Sequence, residues 1–120
     1  MLNLDTHVLL HALSGQLRPR ERTHLARDNW GISAIVLWEI AKLLELGRID
    51  VDLEDPEVVA ALSAVHVWPI DLQVCQQLRT LDFEGDPADE LIAATSLAYH
   101  VSLVTRDTAI RRSRLVPLAF

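Results

Sequence analysis

Four carboxylates in this 120-residue chain stand where chemistry could gather. Asp5 follows the apolar run Met1–Leu4, and Glu39 lies inside the apolar segment Ser33–Leu46. Asp89 heads the run Leu91–Ala98, and Asp107 follows Val101–Thr105. Like charges a few ångströms apart raise one another's pKa or draw in a cation. An all-oxygen donor set suits Mg²⁺ or Mn²⁺. If these segments deliver their acids to one end of a sheet, the chemistry expected is metal-assisted hydrolysis of phosphate esters.

Each acid also has a plainer reading. Asp5, Asp86 and Asp107 stand where a helix cap is expected. Asp86 and Asp89 are both suited to a helix N-terminus, which favours negative charge. Glu39 is flanked one turn before and after by Ile35 and Leu43, so it needs a cation or suffers desolvation. Lys42, three residues on, is one candidate partner. Other chemistries find less support. His7 and His11 are four apart, a spacing that suits a metal or acid–base pair, but no HExxH pattern surrounds them and a solvated or packing role is the simpler reading. Cys75 and the serines have no base pattern nearby for covalent catalysis. The 4 glycines are scattered and form no phosphate loop.

The elements that would position these acids follow from pattern. Met1–Leu4 reads as a buried strand and Thr6–Leu13 as a helix closed by Ser14-Gly15. Pro19–Arg27 is a second helix, proline-led, and Trp30–Ile32 a short strand. Ser33 caps Ala34–Leu46, which stops at Gly47. Asp55-Pro56 opens Glu57–Ala64, Val65–Trp68 is a strand, and Asp71 caps Leu72–Leu81. Asp86-Pro87 opens a helix to about Tyr99. Val101–Val104 is a strand, Thr108–Arg112 a short helix and Leu115–Leu118 a last strand. Short strands alternating with helices imply a parallel sheet covered on both faces. Ligands of such sheets bind outside the carboxyl ends of the strands, where Asp5 and Asp107 would lie.

Composition sets bounds. Half the residues are hydrophobic, enough for a core, and the length suits one domain over residues 1–120. No apolar run approaches the roughly 18 residues of a membrane helix, and Met1–Asp5 lacks the basic region of a signal peptide. The single cysteine excludes an internal disulfide and fits a reducing cytoplasm. The net charge of −6 runs against nucleic-acid binding, although bound cations would offset the clustered acids. Ten of the 11 basic residues are arginine, the better bidentate phosphate ligand. They gather at Arg18, Arg20, Arg22 and Arg27 and again at Arg106, Arg111, Arg112 and Arg114. Solvated faces or contacts to a protein partner account for them equally well.

Four segments together resemble a known family. Leu4-Asp5-Thr6-His7-Val8-Leu9-Leu10, Ser33-Ala34-Ile35-Val36-Leu37-Trp38-Glu39-Ile40-Ala41, Asp86-Pro87-Ala88-Asp89-Glu90-Leu91-Ile92-Ala93-Ala94 and Leu103-Val104-Thr105-Arg106-Asp107 resemble, in order, the acidic segments of PIN-domain proteins. The likeness is greatest to VapC-type toxins of bacterial toxin–antitoxin pairs and covers nearly the whole chain. It implies a three-layer α/β/α sandwich with a short central parallel sheet, and a Mg²⁺- or Mn²⁺-dependent endoribonuclease. It matches Asp5, Glu39, Asp89 and Asp107 to the acidic quartet that holds the metal, with Thr6 and Thr105 in support. It departs at Glu90, where many relatives carry arginine. It further implies an RNA substrate, a small antitoxin partner and a homodimer. Trp30, Trp38 and Trp68 are candidate anchors for that partner, or ordinary core. Two alternatives stand beside this reading. One is a catalytically inactive PIN-like binding module. The other is a receiver-type phosphoacceptor domain, which would want paired acids after the first strand and a late lysine. Here the pair is Asp5-Thr6, and the only lysine is Lys42.

Overall fold

The computed structural model describes residues 1–120. Four strands form one parallel sheet: β1 (Leu2–Leu4), β2 (Trp30–Ser33), β3 (His66–Trp68) and β4 (Ser102–Val104), in the spatial order β3-β2-β1-β4. The chain builds outward from β1 to β2 and β3, then crosses to β4 on the other side of β1. The strand order therefore reverses between β1 and β4, and such a switch point opens a crevice at the strands' carboxyl ends. Seven helices complete the α/β architecture: α1 (Thr6–Leu13), α2 (Pro19–Leu25), α3 (Ala34–Glu45), α4 (Pro56–Ala64), α5 (Leu72–Leu78), α6 (Pro87–Tyr99) and α7 (Thr108–Arg111). No helix is long and apolar enough to cross a membrane.

Local chemistry sets the element ends. Ser33 closes β2 and caps α3, its Oγ accepting from the Ile35 N–H at 3.3 Å. Asp55 and Asp71 cap α4 and α5 in the same way. Gly47, at φ +66°, takes the left-handed turn that ends α3. The expected strand Leu115–Leu118 is reduced to a single bridge between Leu103 and Leu118. Pro117 has no N–H to extend the ladder, so only its carbonyl, accepting from Leu103, and the Ala119 N–H join β4. Helices α2 and α5 stop short of the expected Arg27 and Leu81.

The core runs between sheet and helices. Leu4, Ile32, Val36, Ile92, Leu103 and Ile110 are fully enclosed, and truncating such a side chain costs about 2–5 kcal/mol. One polar residue crosses it. Asn3, in β1, donates from Nδ2 to the Ile92 carbonyl at 3.0 Å and to Ser96 Oγ at 2.9 Å. Helix α6 is thereby pinned to the strand that delivers Asp5. Trp68 is also core: it fills the space above Gly31 in β2, where any Cβ would overlap the indole. It is no surface anchor.

Candidate active site

The carboxyl ends of β1 and β4 carry the first two acids. Asp5 is the residue after β1 and caps α1, with Oδ1 accepting from the Thr6 N–H at 2.7 Å. Its other oxygen accepts from Thr105 Oγ1 at 2.6 Å, and Thr105 follows β4 directly. The Thr105 hydroxyl oxygen in turn accepts from the Asp107 N–H at 3.0 Å, and Asp107 caps α7 through Ile110. A single hydroxyl thus couples two acids on neighbouring strands. Asp5 is buried, and burial pushes its carboxyl up against the lowering effect of the Thr105 bond. Thr6 offers its backbone N–H, while its own buried Oγ1 has no hydrogen-bond partner.

Helices α3 and α6 supply the rest. Glu39 and Asp89 line the same cavity as Asp5 and Asp107, a space of about 420 Å³. Lys42 turns away from Glu39 and pairs with Glu45 at 3.0 Å. Asp89 is the most perturbed of the group. Burial and then the charges of Asp5, Asp107, Glu39 and Asp86 push its carboxyl up to about 7. The structure therefore brings together all four carboxylates singled out in the sequence, from four separate segments.

It also adds residues the sequence did not flag for this place. Asp86 reads as a cap, yet its side chain makes no cap bond, and it lines the cavity as a fifth acid. His7 and His11, one helical turn apart on α1, line it too. Glu21, in α2, is buried and holds Arg106 in a two-pronged pair at 2.7 Å from each carboxylate oxygen. That guanidinium keeps the Glu21 carboxyl below its ordinary range. Glu21 also accepts from the Arg18 N–H at 2.8 Å, half of a capping box. Its spacing after Arg18 and Pro19 was the one signal that could have revealed it.

The donor set fits a hard divalent cation. Its acids are all-oxygen and crowded; Arg106 is the one guanidinium among them, its charge already engaged by Glu21, and His7 and His11 also line the space. No three side chains close into a preformed metal cage.

The chain's likenesses agree with this geometry. The PIN domain profile matches residues 3–114. A comparison with curated proteins gave no match. Among solved structures, a VapBC2 complex from Rickettsia felis, bound to a promoter DNA fragment, superposes with a TM-score of 0.72 at 20% identity, covering 98% of this chain and 97% of that one. A toxin–antitoxin complex from Klebsiella pneumoniae gives 0.68 at 19% identity, over 93% and 91%. FitAcB from Neisseria gonorrhoeae gives 0.63 at 25% identity, over 92% and 90%. With the family profile spanning almost every element and the acids gathered at the sheet's switch point, the chain belongs to the PIN domain family.

Proposed function

We propose that this chain is a Mg²⁺- or Mn²⁺-dependent endoribonuclease and the toxin of a toxin–antitoxin pair. The observation that carries the reading is the gathering of Asp5, Glu39, Asp89 and Asp107 in one cavity, where burial and then the neighbouring charges push the Asp89 carboxyl up to about 7. Membership of the PIN domain family supports nucleic-acid hydrolysis, and the toxin–antitoxin complexes of similar fold support the biological role.

In this reading Asp5 and Asp89 are the principal ligands, with Glu39 and Asp107 completing the set. When bound, the ion supplies charge neutralisation at the scissile phosphate and a more acidic water. The remaining chemistry belongs to the chain. Thr105 and the Thr6 N–H fix the orientation of Asp5 while each Asp5 oxygen keeps a free lone pair. Asp107 is held through one oxygen by Ile110, which leaves the other open to the cavity. A nearby carboxylate of the cavity orients the attacking water or accepts its proton.

The reading includes a homodimer, an antitoxin that covers the cavity, and a cytoplasmic setting. Trp38 suits the role of anchor to a partner: it is 54% exposed, with the Lys42 ammonium 5.9 Å from its ring centre. Incubation of the purified chain with cellular RNA tests the activity. Cleavage that requires Mn²⁺ or Mg²⁺ and stops on adding EDTA supports it. Equal cleavage in EDTA, or none with either ion, refutes it. Light scattering tests the assembly, and a monomer across micromolar concentrations contradicts the dimer.

A further inference from the structure

The two arginine runs, separated by some eighty residues of sequence, meet in space. Arg18 and Arg20, at the start of α2, line a cleft of about 240 Å³ together with Arg106 and Arg111. The cleft shares Arg106 with the acid cavity and reaches it at Thr105, the residue that donates to Asp5. In a chain of net charge −6, four guanidiniums around one small space are a local inversion of sign.

Three of the four are held in place. Arg106 is gripped by Glu21 and also donates to the Gln16 carbonyl at 3.3 Å. Arg111 donates to the Thr105 carbonyl at 3.0 Å and to the Phe120 carbonyl at 2.8 Å. Arg20 lies over the Phe120 ring, 5.1 Å from its centre, and that ring is itself stacked on His24 at 4.4 Å. A guanidinium has five N–H donors, so Arg106 and Arg111 keep unused ones. Only Glu21 among the cleft residues is acidic, and Arg106 occupies it. Arg18, Arg20 and Arg111 form no ion pair. Held guanidiniums with spare donors lose little freedom when an anion arrives.

We infer that this cleft is a phosphate-backbone subsite for RNA, seating phosphates beside the one cut in the acid cavity. The inference rests on the nuclease reading above, because the shared Arg106, with Thr105 bonded across to Asp5, makes a strand leaving the acid cavity the nearest polyanion. Such contacts position a strand and read no bases.

The test is fluorescence anisotropy with a labelled single-stranded RNA of mixed sequence, in EDTA so that nothing is cut. Full-length R18A/R20A is compared with R27A/R48A, which loses the same charge outside the cleft; thermal melts confirm that both are folded. The cleft pair is expected to weaken binding at least tenfold and to flatten the salt dependence by about one to two counterions. The control is expected to change binding less than threefold. Equal losses in the two variants, or no loss in either, overturn the subsite. An acidic peptide that binds wild type and loses affinity for R18A/R20A, while RNA affinity stays put, also overturns it in favour of protein docking. Cleavage assays separate this proposal from the nuclease reading. RNA binding through the cleft with no cutting under Mn²⁺ defeats only the nuclease, whereas cutting with unchanged KM in R18A/R20A defeats only the subsite.

Discussion

Glu21 is a buried carboxylate and Asp89 a half-buried one, each lining a cavity that Arg106 also lines, and their ionisation is shifted in opposite directions. Glu21 faces a guanidinium and is held below its ordinary range. Asp89 faces four other acids and is forced up to about 7. Burial opposes ionisation in both; at Asp89 the neighbouring acids add to it, whereas at Glu21 the Arg106 guanidinium outweighs it. Around Glu21 the fold completes its own charge balance, and the pair fixes a side chain. Around Asp89 it leaves the balance open, which is how a site for an external cation is built. A buried charge left without a partner is costly. Of the five acids lining the cavity only Asp5 is buried, so the cost of retaining them lies in the burial of Asp5 and in their mutual repulsion.

The largest expected effect breaks the open side of this contrast. Asp5→Asn or Asp89→Asn should lower metal-dependent RNA cleavage by more than about 100-fold, because even residues that merely support metal ligands contribute about 10- to 100-fold. Neither change should unfold the chain, which thermal melts will show. The closed side responds in stability. Arg106→Ala strands Glu21 in the interior and should cost about 2 kcal/mol in denaturant unfolding. Replacing both partners with apolar residues should cost less than the two single changes added together. Next comes Thr105→Val, which keeps the shape but removes the donor to Asp5. Titration should show Mn²⁺ affinity falling at least about tenfold.

The smallest effect is in pH, and it carries opposite signs on the two sides. Between about pH 4 and 7 the folded chain keeps a proton on Asp89 that the unfolded chain has released. Metal-free stability from this group is therefore present in acid and declines as pH rises toward 7. Asp89 is only half-buried, so after screening by water the decline should be about 1 kcal/mol. It should vanish in Asp89→Asn. Glu21 behaves inversely: its contribution is present above the ordinary glutamate range and is lost as pH falls below it. Melting temperatures of wild type, Glu21→Gln and Asp89→Asn across pH 4–8 separate the two slopes.

How far the sequence could reveal this depended on whether a residue's role was local. The acids Asp5 and Asp107 follow apolar strands, and Glu39 sits in an apolar helix, so their placement was legible from neighbours alone. The alternation of strand and helix likewise exposed the parallel sheet. Roles set by distant partners were hidden. Asp86 carries the pattern of a cap, and only the geometry shows its side chain free of the helix and facing Asp89. Trp68 read as partner anchor or as core, and the gap over Gly31 that makes it core is visible only in three dimensions. Arg106 and Glu21 are 85 residues apart, and no local pattern joins them. The resemblance to PIN domains added the nuclease chemistry and the partner, which periodicity and spacing do not contain.

The central claim is that acids from four segments jointly hold one kind of divalent ion. Calorimetric titration of the purified chain with Mn²⁺ at pH 6.5, in two buffers of different ionisation heat, measures this directly. The account predicts binding accompanied by proton release, as the Asp89 carboxyl ionises, with both lost in Asp5→Asn and the proton release absent in Asp89→Asn. Binding that is undetectable in wild type, or unchanged in either variant, would contradict it.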